Sequence, residues 1–194
     1  MPTAHKPLPP RMTVDDFVEW PGDGTAKRYQ LVDGEPRAMA PASATHGAIQ
    51  SRIASLITRR LDETKSPCVS VTEPAVVPRL RANVNMRVPD IGVTCTPIER
   101  GQIELPDPVL LVEILSPGNE SDTWENVWAY ASIPSVQEIL VVHSTRIGAA
   151  LLRRQPDFAW PKEPDEIESD GTLRLESIGL ACPLAELYAG THLA

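Results

Sequence analysis

The chain lacks several patterns that would assign a function directly. Its 194 residues contain no apolar run approaching eighteen residues, so no membrane-spanning helix is predicted. They contain no G-x-S-x-G motif and no Gly-rich phosphate loop, which argues against a serine hydrolase and a nucleotide-binding loop. Residues 1–12 lack the apolar segment of a secretory signal, so we expect a loose leader and a cytoplasmic protein.

Cysteine and positive charge are also scarce. Cys68, Cys95 and Cys182 are odd in number, far apart and without a C-x-x-C pair, so neither a zinc site nor a disulfide framework is expected. We interpret them as small buried hydrophobic residues in a reducing cytoplasm. The formal net charge of -8 opposes a broad nucleic-acid-binding surface, although it permits a local basic groove.

The order of predicted elements indicates one mixed α/β domain over residues 1–194, with a central sheet and flanking helices. Thr13 is a plausible cap for a first helix, and the Asp33-Gly34 pair between apolar flanks predicts a hairpin. A long helix begins at Ala44 and a shorter one is expected over 122–132. The predicted strands of the central region are 69–78 (interrupted by Pro74), 84–95, 109–116, 136–144 and 147–154.

Two of these strands carry a carboxylate at a costly position. VLLVEIL is a continuous apolar run, typical of a strand covered on both faces, and Glu113 lies within it. Asp90 follows Pro89 at a possible bend of the strand VPDIGVTC. Burying an unpaired carboxylate costs several kcal/mol, so we expect each acid to have a partner.

A divalent cation is one partner that would explain both acids. Mg²⁺ prefers oxygen ligands and is often held by only one or two carboxylates together with water and substrate phosphate. The alternative is that each acid meets an arginine or a backbone amide, or points outward at a strand edge. The two residues alone do not decide between these explanations.

Five segments together are similar to a known family. In order they are RYQLVDGEPRAMAPASATHGAI, VPDIGV, PDPVLLVEILSP, SDTWENVWAYASIPSVQEILVV and LACPLAELYAG, and they extend over residues 28–189. They resemble the Uma2-type (DUF820) endonucleases of the PD-(D/E)XK nuclease superfamily. The resemblance implies a restriction-endonuclease-like core over 28–189, with a central mixed sheet flanked by helices and an N-terminal hairpin.

The resemblance also implies an active site. Asp90 would be the acid of the PD element and Glu113 the acid of the (D/E)XK element. Together with the carbonyl oxygen of Ile114 they would bind Mg²⁺ or Mn²⁺. His46 matches a histidine at the start of the family's first long helix, where it would either assist near the scissile phosphate or bond a neighbouring loop. Nucleic acid, expected to be DNA, would be the substrate, and a homodimer the expected assembly.

The chain departs from the family pattern at the site. Leu115 occupies the lysine position of the (D/E)XK element, and Asn126 occupies the alternative lysine position in the following helix. Gln30 replaces a glutamate of the family's hairpin. Amides can orient water or phosphate but supply no charge. Lys27, Lys65 and Arg87 are available cations that the sequence does not place.

Two hypotheses follow. In the first, the chain is a metal-dependent endonuclease with a degraded active site, in which Asp90 and Glu113 bind the metal, Gln30 and Asn126 orient water or phosphate, and His46 assists. In the second, it is a catalytically inactive homologue that acts as a nucleic-acid-binding or dimeric assembly module. Divalent-dependent cleavage, and its response to a change at Asp90, would distinguish them.

Overall fold

The computed structural model describes residues 11–194, which begin with a short capped helix and a hairpin. Helix α1 spans Val14–Glu19, and Thr13 and Asp16 form the reciprocal hydrogen bonds of a capping box. Strands β1 (Tyr29–Val32) and β2 (Glu35–Ala38) pair across Asp33 and Gly34, which both have positive φ. The predicted helix start and hairpin are confirmed. Residues 1–10 of the expected leader lie outside the described residues, whereas Met12 is buried.

The long helix α2 spans Ala44–Glu63, and the Ser43 hydroxyl caps it by accepting from the amide of His46. Its apolar residues recur on one face, as the sequence predicted, and that face packs on the sheet. The stripe consists of Ile49, Ile53, Leu56, Ile57 and Leu61, all buried. Because the stripe fixes the rotation of α2, it also fixes the direction in which His46 points.

A six-stranded mixed sheet forms the centre of the protein. Its neighbouring strands are β3 (Val69–Thr72), β4 (Ile91–Thr94), β5 (Pro108–Leu115), β6 (Glu138–His143), β7 (Ala149–Arg153) and β8 (Asp165–Ile167), in that order. Strands β5 and β6 are parallel and the other pairs antiparallel. Helix α3 (Glu120–Tyr130) connects the parallel pair. The predicted α/β fold with a central mixed sheet, flanking helices and an N-terminal hairpin is confirmed.

The remaining described elements complete one face of the sheet. Strands β9 (Thr172–Leu175) and β10 (Leu180–Pro183) form a second hairpin. Short 3₁₀ turns occur at Ala82–Val84, Glu176–Ile178 and Leu184–Tyr188. Within residues 11–194, no helix has both the length and the apolar character needed to cross a membrane.

Alternation along β5 places its side chains on two faces. Leu110, Val112 and Ile114 belong to the apolar cluster under α2, whereas Leu111 and Leu115 belong to the cluster that contains residues of α3. Since successive strand residues point to opposite faces, Glu113 projects toward α3. The acid therefore meets the side chains that α3 supplies.

Several predicted boundaries differ from the structure, and the strand expected over 69–78 ends at Thr72. The strand expected over 84–95 is regular only from Ile91, because Met86 and Arg87 instead form isolated bridges to Leu31 and Val76. Helix α3 begins at Glu120 rather than 122, and its N-cap Asn119 makes no side-chain capping bond. Asp90 therefore lies just before β4 rather than within a strand, whereas Glu113 lies within β5 as predicted.

The prediction for two of the three cysteines is wrong. Cys68 and Cys95 are half-buried and joined by a disulfide, with sulfurs 1.93 Å apart. They flank the last pair of the β3–β4 ladder, Val69 and Thr94, and so lie opposite each other. The separation of 27 residues conceals this pairing in the sequence. Cys182 is free and buried as expected, and burial raises the pKa of its thiol.

Candidate active site

One cleft receives every side chain that the sequence analysis selected. It lies where the ends of β4 and β5 meet the start of α2, the side of α3 and the hairpin β1–β2, and its volume is about 250 Å³. The six predicted residues that line it are Gln30, His46, Asp90, Glu113, Ile114 and Asn126. Residues from five separate segments of the chain thus converge at one place.

Asp90 is held at both carboxylate oxygens and at its backbone. Its Oδ2 accepts from the amide of Ile114 at 2.6 Å, and its Oδ1 lies 2.9 Å from Nε2 of His46. Its carbonyl oxygen accepts from the amide of Glu73 and from Nε2 of Gln50, both at 2.9 Å. These contacts fix the acid just before the start of β4, with its carboxylate directed at Ile114 near the end of β5.

His46 contacts the acid rather than open solvent. Besides the bond to Asp90, its Nδ1 lies 3.0 Å from the hydroxyl of Ser116, and the side chain is buried. An ionised carboxylate only accepts, so Nε2 is the donor to an ionised Asp90. Ser116 lies in the loop after β5, so of the two interpretations offered by the sequence this geometry favours a histidine that bonds a neighbouring loop.

Glu113 is buried without an ion-pair partner among the described residues. The residue is 7% exposed, and its Oε1 accepts from Tyr130 Oη at 2.6 Å and from Asn126 Nδ2 at 3.3 Å. Burial, followed by the negative charge of Asp90, raises the pKa of Glu113 to about 8. Burial also raises the pKa of Tyr130, which therefore remains a donor.

A buried arginine stands behind Asn126. Arg87 is 4% exposed and donates from Nη1 to Asn126 Oδ1 at 3.0 Å, while its Nη2 lies 3.6 Å from Glu125. Because a guanidinium only donates, it orients the amide of Asn126 so that Nδ2 faces Glu113. Arg87 is thus the available cation nearest to the altered lysine position, although it reaches Glu113 only through Asn126.

Gln30 lines the cleft from β1, where the family pattern has glutamate. Its Oε1 is buried and has no hydrogen-bond partner within the described part of the chain. An orphaned buried acceptor is costly, so this oxygen points to a donor or cation that the protein itself does not supply.

Sequence reasoning missed two residues at the mouth of the cleft. Arg28 and Glu73 both line it and form a two-fold ion pair, with Nη2 2.7 Å from Oε1 and Nη1 bonded to Oε2. Glu73 follows β3 with a φ of 52°, which is unusual for a residue with a side chain. Strong conformational strain of this kind occurs often at functional sites. Arg28 begins the first segment of the resemblance and Glu73 lies in the strand predicted over 69–78, but the sequence analysis assigned neither residue a role.

The donor set suits a hard cation only in part. No group of three or more histidine, cysteine, aspartate or glutamate side chains within residues 11–194 is arranged to hold a metal. Of the four acids that line the cleft, Asp90 and Glu113 are the two that the sequence analysis assigned to a metal, and Ile114 lines the cleft beside them. Such a sparse set fits Mg²⁺, which commonly retains water and binds substrate phosphate, better than it fits a fully protein-enclosed ion.

Comparison with known proteins agrees with this fold. The structure is similar to the crystal structure of "a putative nuclease belonging to DUF820" from Anabaena variabilis, with a TM-score of 0.74 and 21% sequence identity. The match covers 92% of this chain and 98% of that chain. The fold is therefore that of a nuclease-like protein. The model of the Uma2 family, described as "Putative restriction endonuclease", matches residues 14–184, and the chain belongs to this family.

A relative of uncharacterized function has nearly the same extent. The protein slr1290 of Synechocystis is 28% identical over 191 residues, which cover 96% of this chain and 97% of that protein. The predicted family is confirmed, and a nuclease-family assignment makes nucleic acid the expected class of substrate.

Proposed function

We propose that the chain is a metal-dependent endonuclease that hydrolyses phosphodiester bonds in nucleic acid. Asp90, Glu113 and the carbonyl of Ile114 would hold Mg²⁺ or Mn²⁺. The observation that carries this proposal is the convergence of Asp90 and Glu113 on one cleft, with Glu113 buried and without an ion-pair partner in the described chain. A cation would remove the cost that their proximity imposes.

The ion would supply a polarised phosphate oxygen and a bound water of lowered pKa. The residues of the chain would orient it. Tyr130 and Asn126 both bond Oε1 of Glu113, and no protein hydrogen bond to Oε2 occurs among the described residues, so Oε2 is the oxygen available for a ligand. His46 and the amide of Ile114 similarly hold the carboxylate of Asp90 in one orientation.

Gln30 and Asn126 would act as orienting groups. The orphaned Oε1 of Gln30 would accept from a water molecule in the cleft, which would relieve its unpaired state. Asn126 would keep Glu113 aligned, and Arg87 would hold Asn126 in turn. Neither amide carries the charge that the family pattern has at these positions, so we expect slow turnover.

A second candidate is a catalytically inactive homologue that binds nucleic acid or assembles as a dimer. The observation that favours it is the neutral state of both altered positions, together with the indirect position of Arg87. This alternative predicts that the folded protein binds nucleic acid and cleaves none with any divalent ion.

The proposal extends to substrate, assembly and location. We propose DNA as the substrate, because the family is described as "Putative restriction endonuclease" and restriction endonucleases act on DNA. A homodimer would cover Trp128, which is 48% exposed on α3. A cytoplasmic location is also proposed, and the Cys68–Cys95 disulfide opposes it because such bonds are rare in reducing compartments. We further propose that the chain is a single domain whose nuclease-like core spans residues 28–189.

The direct test is cleavage of labelled DNA with Mn²⁺ or Mg²⁺ by the wild type and by Asp90→Asn. We expect the variant to lose at least about a hundredfold in rate, because the amide cannot replace the carboxylate at the metal. Asp107→Asn is the matched control, since Asp107 lies in another cavity, and it should cleave like the wild type. Thermal melting establishes that each variant is folded. Cleavage that persists unchanged in Asp90→Asn would refute the assignment.

A further inference from the structure

The mouth of the cleft contains a cation whose role the proposed function leaves open. Among residues 11–194, Arg28 is the one lysine or arginine that lines the cleft. It directly precedes β1, and its carbonyl accepts from the amide of Met39 at 2.8 Å, so the hairpin fixes its backbone. Its side chain is 57% exposed and therefore accessible to a ligand entering the cleft.

Glu73 determines where the guanidinium of Arg28 lies. The two side chains pair through both Nη atoms and both carboxylate oxygens. The amide of Glu73 also donates to the carbonyl of Asp90, so Glu73 connects the arginine to the acid of the site. These two contacts hold the backbone of Glu73 at its unfavourable φ of 52°. A carboxylate that engages one edge of a guanidinium leaves its remaining donors unused.

The charge balance of the cleft requires such a cation. Four acids line it (Glu73, Asp90, Glu113 and Asp122), and Asn126 stands where the family pattern has lysine. A polyanionic substrate would be repelled by these acids unless cationic groups received its phosphates. Arginine is suited to this because its planar fork matches phosphate geometry.

We propose that Arg28 binds a backbone phosphate of the nucleic acid at the mouth of the cleft, and that Glu73 positions it. The proposal rests on the proposed function, because it assumes that nucleic acid enters this cleft. Arg28 is the residue in contact with substrate, and Glu73 acts through Arg28. The exposed guanidinium edge receives the phosphate while the other edge remains on Glu73.

The test measures the affinity of a fluorescent DNA duplex by anisotropy in Ca²⁺ over a series of salt concentrations. We expect Arg28→Gln to weaken binding roughly ten- to a hundredfold, because a charge-assisted bond is lost. The slope of log affinity against log salt should decrease by about 0.9, which corresponds to one phosphate contact. Arg28→Lys should keep the slope and lose part of the affinity.

Two further variants separate positioning from general effects. Glu73→Gln keeps the charge of Arg28 but loosens its anchor, so we expect weaker binding with an unchanged salt slope. Arg100→Gln removes the same charge from the exposed turn between β4 and β5, and it should leave affinity and slope like the wild type. Mn²⁺ affinity measured by calorimetry should be the same in Arg28→Gln and wild type.

The outcomes distinguish this proposal from the proposed function. If the wild type cleaves DNA and Arg28→Gln binds with unchanged affinity and slope, Arg28 is only a structural partner and the inference is overturned. If binding depends on Arg28 as expected but the wild type does not cleave, the inference stands and the nuclease proposal fails. If Glu73→Gln abolishes Mn²⁺ binding, Glu73 is a metal ligand and its assignment as a positioning residue is overturned.

Discussion

Two buried glutamates on neighbouring strands of the sheet have opposite surroundings. Glu138 on β6 is 1% exposed, and its carboxylate accepts from Arg153 Nε at 2.8 Å and from the amides of Glu176 and Ser177. The Ser177 hydroxyl adds a bond at 2.5 Å. Glu113 on β5 is about equally hidden, but it has two neutral donors on one oxygen and another acid nearby.

The difference shows that burial alone does not mark a functional carboxylate. Glu138 is a structural acid, because an arginine and three further donors compensate for its loss of hydration. Glu113 lies on the opposite face of the sheet and lacks that compensation, which is what a ligand-binding position requires. The useful signal is a buried carboxylate whose hydrogen bonds and charge the protein itself does not fully satisfy, and of these two glutamates Glu113 shows it and lines the cleft.

The largest expected effect tests the structural half of this comparison. Glu138→Gln should destabilise the protein by about 3 kcal/mol, because an amide cannot replace a carboxylate toward four donors and leaves Arg153 without its buried partner. Denaturant unfolding measures the change. The exposed partner Glu176 provides the control, since Glu176→Gln should cost less than about 0.5 kcal/mol. An unchanged denaturant midpoint in Glu138→Gln would show that Glu138 does not have the structural role that distinguishes it from Glu113.

The same substitution at Glu113 should change the free energy of unfolding in the opposite direction. Glu113→Gln should stabilise the metal-free protein by about 2 kcal/mol near pH 8, because the amide removes a charge that burial and Asp90 disfavour. The Gln oxygen can still accept from Tyr130 and Asn126. Thermal melting in the presence of a chelator measures the gain.

The gain should also depend on pH. Glu113 has a folded-state pKa of about 8, above the ordinary value of 4.5, so between these values the folded state binds a proton that the unfolded state has lost. The stability of the wild type therefore falls as pH rises from about 5 to 8, whereas Glu113→Gln lacks this decline. A stability difference that is flat over this interval would contradict the origin we assign to it.

The smallest expected change in stability comes from a substitution that gives Glu113 a cationic partner, as Glu138 already has in Arg153. Asn126→Lys restores the family's lysine, but Arg87 then loses its acceptor and faces a like charge. We expect a net loss of about 1 kcal/mol, since pairing with Glu113 offsets part of the cost. In the double variant that combines Asn126→Lys with Arg87→Gln, the loss of stability should be about 1 kcal/mol smaller than the sum of the losses in the two single variants. Simple additivity in a double-mutant cycle would show that Arg87 is not coupled to this position.

Much of the fold was predictable because local patterns determine it. The period of the apolar residues in α2, the Asp33-Gly34 turn and the continuous apolar run of β5 each specify one element. Element ends were less predictable, since the bridges of Met86 and Arg87 and the cap of α3 depend on partners distant in sequence. The disulfide was missed for the same reason.

The site was predictable only as a set of residues. The resemblance selected Asp90, Glu113 and the two amides, but it gave no information about which groups touch them. The roles of Arg87 and Ser116 and the pair at the cleft mouth depend on side chains that meet across different elements.

The amino-acid sequence by itself determined the family, the order of helices and strands, and the placement of Glu113 in an apolar strand, because these depend on periodicity and residue type along the chain. Only the tertiary structure decided that Glu113 faces α3 without an ion-pair partner in the described chain while Glu138 meets Arg153. The cost of a buried charge depends on the donors that reach it from distant segments, and folding alone brings those donors into place.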